Sequence, residues 1–166
     1  MLCFLVSFKA SVAQKYSSLV EKGNEALELR EYDIARDYYK RALAIDSSDI
    51  VLHYQYAEIC FSIQNYSVAA YWYQKIYRTD NAKKYPQALY HLALCKKWNG
   101  QYKEAAKLFD KYAKRMAKKN PQQSAEATKE KANCEFGLLL QKNPIPVSII
   151  HADTLVNSTG GEYAPY

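Results

Sequence analysis

Glycine and proline are scarce in this chain, five of each in 166 residues, which excludes the sandwiches and barrels that must turn every ten residues or so. No apolar run is long enough to cross a bilayer as a helix, and a mean hydropathy of −0.44 excludes a multispanning membrane protein. The four cysteines, Cys3, Cys60, Cys95 and Cys134, stand far apart, with no Cys-x-x-Cys pair and no His at ligand spacing. Neither a zinc site nor a thioredoxin-like redox pair is therefore predicted, and Cys60 and Cys95 read as small buried apolar residues. Also missing are a Gly-x-Ser-x-Gly elbow, a phosphate-binding Gly-x-x-x-x-Gly-Lys-Ser/Thr loop, a Gly-x-Gly-x-x-Gly turn and a His-Glu-x-x-His helix. His53, His91 and His151 are isolated, so no catalytic residue, metal or cofactor is expected.

Ala, Leu, Lys, Glu and Gln are plentiful, which points to helices, and the length suffices to bury roughly 68–70% of the unfolded surface. Tyr is the compositional outlier at 16 copies, so many packing contacts must use a ring whose hydroxyl needs a partner. The net charge of +6 is unevenly spread: −1 over residues 1–81, +9 over 82–142 and −2 over 143–166. Lys111, Lys114, Arg115, Lys118 and Lys119 read as lying on one helix, with Lys129 and Lys131 on the next. Apart from Tyr112, which sits at a repeat core position, rings for stacking bases are not interleaved with these cations, so the patch reads as a solvated face and no specific nucleic-acid binding is expected.

At the N-terminus, Leu2-Cys3-Phe4-Leu5-Val6-Ser7-Phe8 is a short apolar run followed by Ser11-Val12-Ala13, small residues suited to signal-peptidase cleavage before Gln14. Against this, no basic residue precedes the run and Lys9 interrupts it; the competing reading is that residues 3–13 extend the first helix.

The interior repeats. Tyr32-Asp33-Ile34-Ala35-Arg36-Asp37-Tyr38-Tyr39, Tyr66-Ser67-Val68-Ala69-Ala70-Tyr71-Trp72-Tyr73 and Tyr102-Lys103-Glu104-Ala105-Ala106-Lys107-Leu108-Phe109 each read Tyr-x-x-Ala-x-x-x-aromatic, spaced 34 and then 36 residues apart. Ala and the ring four residues later share one helix face. Upstream, at a constant offset, Gly23, Ala57 and Ala93 are small enough for a neighbouring helix to come close.

This pattern resembles the tetratricopeptide repeat, a helix-turn-helix unit that stacks into a solenoid. The resemblance covers about residues 16–119, three units beginning at Tyr16, Ile50 and Pro86. The implied fold class is all-α: an α-solenoid of three helix pairs, a capping helix over 122–141, and an extended tail. Asp46-Ser47-Ser48-Asp49 is rich in helix-starting residues, Asn99-Gly100 closes the first helix of unit three, and Asn120-Pro121 reads as ending its second. Arg30 and Gln64 stand where the family has a turn glycine, which Gly100 alone supplies, and are expected to loosen those turns.

A second resemblance concerns the ends. Exported repeat proteins of the Bacteroidetes carry tetratricopeptide repeats, then a β-propeller, then an OmpA-like peptidoglycan-binding domain, and one belongs to the type IX secretion apparatus. Val12-Ala13-Gln14 resembles the end of their signal peptide, and Cys134-Glu135-Phe136, Pro144–Val147, Asn157-Ser158 and Glu162-Tyr163-Ala164-Pro165 resemble their path from cap to propeller. The implied organisation is a signal-peptide remnant at 1–13, the repeat domain with its cap at 14–142, and a linker with the start of a β-propeller at 143–166. The implied location is the periplasm, associated with the outer membrane, with membrane contact only indirect through an envelope complex.

The repeat resemblance also implies a site. In the family, the first helix of each unit lines a concave groove for a protein or peptide partner. Carried over, the groove positions are Val20 and Asn24; Tyr54, Gln55, Glu58 and Phe61; and Gln87, Tyr90, His91, Leu94, Lys97 and Trp98. Aromatic rings dominate protein interfaces, although some of these rings can instead belong to helix–helix packing. A subset of the family grips chaperone C-terminal carboxylates with two Lys, two Asn and an Arg. Here Asn24 fits, but Val20 and Gln87 replace the lysines, Gln55 the second Asn and His91 the Arg, so fixed cations for a carboxylate are missing. The expected function is a non-enzymatic scaffold of an envelope assembly; the alternative is a soluble peptide-binding or chaperone-like adaptor, with residues 1–13 retained.

Overall fold

The computed structural model describes residues 2–80 and 82–144, with side chains for 11–79 and 82–144. Among these residues there are seven helices: α1 (Leu2–Glu28), α2 (Tyr32–Ile45), α3 (Ile50–Ser62), α4 (Tyr66–Asp80), α5 (Pro86–Trp98), α6 (Tyr102–Met116) and α7 (Pro121–Lys142). Each packs on the next in chain order, so α1/α2, α3/α4 and α5/α6 form three helix pairs and α7 closes the stack against α6. The expected all-α solenoid with a capping helix is what the chain forms.

Its core is the repeat ladder. Ala35, Ala69 and Ala105, the third positions after each repeated Tyr, are fully buried, as are Tyr39, Tyr73 and Phe109 four residues further on. Full burial of such a ring contributes roughly 1.5–3 kcal/mol, and the small residue one turn earlier leaves room for it. On the facing helices Gly23, Ala57 and Ala93 are buried too. At Gly23 a Cβ would run into the ring of Tyr39, so the close approach of α1 and α2 requires glycine. Cys60, Cys95 and Cys134 are fully buried, and burial pushes the thiols of Cys60 and Cys95 up to about 11 and about 12.

Helix boundaries follow local chemistry. Asp49 caps α3, its carboxylate accepting from the backbone N–H groups of Val51 and Leu52 at 2.8 and 3.1 Å. The expectation that Arg30 and Gln64 loosen their turns is corrected. Both adopt the left-handed conformation, φ 61° and 60°, beside φ 72° for Gly100. The same bond also closes each helix: Glu31 N–H to Ala26 O at 2.9 Å, Asn65 N–H to Cys60 O at 2.8 Å and Gln101 N–H to Lys96 O at 2.8 Å. The turns are equally tight; the cost appears as backbone strain at two side-chain-bearing residues.

A second correction concerns Asn120. Helix α6 ends at Met116, and Asn120 starts α7, its side chain accepting from Gln123 N–H at 3.1 Å. Lys118 and Lys119 therefore lie in the turn after α6, not on the helix. Several of the remaining cations are engaged: Asp110 accepts from Lys114 at 2.6 Å and Lys131 at 3.0 Å, and Arg115 donates to Ala82 O at 3.2 Å. Helix α1 takes in residues 2–13, where both readings of that segment allow a helix. The linker and propeller-start reading of 143–166 falls, from residue 145 on, outside the described residues. Helix α7 buries Ala127 and Cys134 against the stack while Phe136, Leu139 and Leu140 stay exposed.

Candidate protein-interaction groove

Helices α1, α3 and α5 carry the twelve groove positions, and side-chain bonds within and between the units hold several of them in place. At the centre Glu58 on α3 accepts from the Tyr73 hydroxyl of α4 at 2.5 Å and from His91 Nδ1 of α5 at 2.8 Å. An ionised carboxylate only accepts, so the His91 hydrogen facing it sits on Nδ1. Burial by itself would raise the Glu58 carboxyl, but the bond and charge of His91, with the hydroxyls of Tyr73 and Tyr54, outweigh it and hold Glu58 below the usual carboxylate range. The tyrosines shift the other way: burial, then the charge of Glu58, pushes Tyr54 up to about 12 and raises Tyr73. These phenols are donors at any physiological pH.

Aromatic contacts extend this centre. The His91 ring stacks on Phe61 with centroids 4.8 Å apart at 21°. Trp98, 47% exposed, lies against Tyr66 at 4.4 Å and Phe61 at 5.3 Å. Tyr54 stacks on Tyr85 at 4.5 Å and 11°. Tyr90 meets Phe109 and Tyr112 at 5.4 and 5.2 Å.

The structure thus brings Tyr54, Gln55, Glu58, Phe61, His91 and Trp98 together around α3 and the start of unit three. Others have structural partners as well. Asn24 accepts from the Tyr39 hydroxyl at 2.5 Å, and Gln87 from the buried Tyr112 at 2.7 Å. Lys97 is paired with Glu130 of α7 at 2.6 Å, so its charge serves the cap contact. His91, at the position of the clamp Arg, is committed to Glu58.

Sequence reasoning missed a cleft of about 170 Å³ between units one and two, walled by Leu27, Tyr32, Tyr54, Gln55, Glu58, Ile59 and Ser62. It also missed Tyr85 as the stacking partner of Tyr54. The signal was available for the cleft: Leu27 and Ser62 hold the repeat positions that Phe61 and Trp98 hold one unit later.

No family model and no curated protein matches the chain. Solved structures do. The first TPR of Spaghetti (RPAP3) bound to the HSP90 peptide SRMEEVD is similar at TM-score 0.61 and 20% identity, covering 74% of this chain and 94% of that one. The Sgt2 TPR domain from Aspergillus fumigatus gives 0.60 and 20%, covering 83% and 90%. The type III secretion translocator chaperone SycD of Yersinia enterocolitica gives 0.57 and 17%, covering 81% and 88%. At these identities the likeness is one of fold, and the fold is that of tetratricopeptide repeat domains.

Proposed function

We propose that this chain is a non-enzymatic interaction scaffold that holds a protein or peptide segment in the groove along α1, α3 and α5. The observation that carries the reading is the row of half-exposed rings, Tyr54, Phe61, Tyr90 and Trp98, around the fixed pair Glu58–His91. The rings are immobilised by mutual packing, so a partner binds them at little cost in side-chain entropy. Solved domains of this fold with peptides bound, such as the one carrying SRMEEVD, support it.

In the fuller form of this reading, the chain is the repeat module of a periplasmic, envelope-anchored assembly of the type IX secretion kind, outer-membrane-associated and touching the membrane only through its partners. The order of motifs at 12–14 and 134–165 supports it. The alternative, a soluble adaptor or chaperone-like protein, is favoured by the likeness to a secretion chaperone and to peptide-bound adaptor domains. Mass spectrometry of the native protein separates the two: a mature start at Gln14 supports export, and an intact Met1 supports the soluble adaptor. The groove itself is tested by affinity capture from the source organism's envelope with wild type, Tyr54→Ala and Trp98→Ala. Loss of about 2 kcal/mol or more in binding with helicity intact supports the reading; capture untouched by both changes moves the partner elsewhere.

A further inference from the structure

The two junctions between repeat units have the same framework and different fillings. At the second junction the space beside Tyr66 is occupied: Trp98 covers the Tyr66 ring, and Phe61 lies between Trp98 and the stacked His91. At the first junction the corresponding residues are Tyr32, Ser62, Leu27 and Gln55. The two large rings are thus replaced by a hydroxymethyl and an isobutyl group, the histidine by an amide, and what remains is the cleft of about 170 Å³ beside Tyr32. The chain's own second junction shows what shape fits there, a large flat side chain lying on a tyrosine.

The linings of the cleft and of a groove along α1 carry one sign of charge, while Lys22 lines a further depression that shares Glu25. Glu58 lines the cleft, and along α1, the helix that supplies Leu27, runs a shallow groove that includes Glu21, Glu25 and Glu28. All three α1 carboxylates are exposed, and among the described residues none has an ion-pair partner. Among the described residues, no lysine or arginine lines the cleft or that groove.

From these observations we propose that the first junction is an anchor site for a basic peptide segment, taking one aromatic side chain in the cleft beside Tyr32 while Lys or Arg residues of the segment lie along Glu21, Glu25 and Glu28. The proposal rests on the groove reading above and names its partner: a cationic segment with a buried ring, the reverse of an acidic carboxylate tail. Stacking on Tyr32 and removal of the ring from water supply the affinity; the carboxylates supply orientation and a faster encounter.

The test uses the whole chain and three short fluorescein-labelled peptides followed by fluorescence polarisation: a Lys/Arg-rich peptide with one central Trp, the same peptide with Ala for Trp, and an Asp/Glu-rich peptide with the Trp kept. The Trp-bearing basic peptide should bind at least about tenfold more tightly than either of the others. Ser62→Trp, which fills the first junction as Trp98 fills the second, should weaken it by about tenfold or more while melting no lower than wild type. Should that variant fold poorly, Glu21→Lys with Glu28→Lys provides a surface test: the basic peptide should weaken and the acidic one strengthen. Equal binding of the Trp and Ala peptides, indifference to the charge reversal, or no binding of the basic Trp peptide by about 1 mM overturns the proposal. If these fail while envelope capture still depends on Trp98, the groove reading stands and only the anchor site falls; if capture is also indifferent, both fall.

Discussion

Tyr39 donates its phenolic hydrogen to the side-chain oxygen of Asn24, fifteen residues earlier, at 2.5 Å. One unit on, Tyr73 does the same to Glu58 across the same fifteen residues and at the same distance. In the third unit that pair of positions holds Phe109 and Leu94. The ring is buried each time, and its partner is polar only where the ring carries a hydroxyl. This matching accounts for two of the sixteen tyrosines: the buried phenols of α2 and α4 are each satisfied from the groove-lining helix they pack against.

The pairing predicts a graded cost. Tyr39→Phe removes a bond to a neutral amide and should destabilise by about 0.5–1.5 kcal/mol, whereas Tyr73→Phe removes one to a carboxylate and should cost about 1.5–3 kcal/mol. The double change Tyr39→Phe with Asn24→Leu copies the third unit and should cost less than Tyr39→Phe alone. Urea unfolding of the single and double variants checks this; an additive double mutant contradicts it.

Gly23→Ala places a methyl against the Tyr39 ring and should cost about 1–3 kcal/mol by overpacking. The readout is the thermal midpoint, and an unshifted midpoint would mean that α1 and α2 are not held this close.

The strained turns predict a gain. Arg30→Gly and Gln64→Gly relieve left-handed conformations at φ 61° and 60° and should each stabilise by about 0.5–1 kcal/mol. A loss of stability in either would show that the side chain, not the backbone, governs that turn.

His53 predicts a pH dependence. Its ring is nearly fully buried, Nε2 faces Ser47 O at 2.9 Å, and Nδ1 has no partner. Burial first and then the charge of Lys75 lower its pKa, outweighing the Ser47 carbonyl and the carboxylates of Asp49 and Asp46. Folding therefore favours the neutral ring. Its contribution is complete above the ordinary value of about 6.5 and is lost as pH falls through the lower folded value. Stability should decline on acidification below about pH 6.5, and His53→Leu should flatten that part of the curve; a variant with the wild-type slope assigns the decline to another group.

The period, the helix pairs and the start of α3 at Asp49 were legible because they depend on local spacing: Tyr, Ala and an aromatic at fixed offsets place one face of each second helix against its partner. The turns at Arg30 and Gln64 were not, because closing bonds between backbone groups set φ there and the side chain only bears the strain. Asn120 was misread since Asn-Pro both stops and starts helices, and only the Gln123 bond decides between them. In the groove, repeat position placed Tyr54, Glu58, Phe61 and His91 on the right helices, but their mutual contacts join residues about one repeat apart, and no local pattern reports that. Lys97 shows the limit most clearly: its position marks it for the groove, and a glutamate on α7 takes its charge.

Site-specific photo-crosslinking tests the central claim most directly. A benzoylphenylalanine replaces Trp98 in the groove or, as a control, Tyr71, which is exposed on α4 and lines a separate depression with Lys96 and Asn99. Irradiated in cells of the source organism, the Trp98 position should yield a discrete protein adduct and the Tyr71 position none. Adducts from Tyr71 alone would contradict the account and move the binding surface to the depression beside α4.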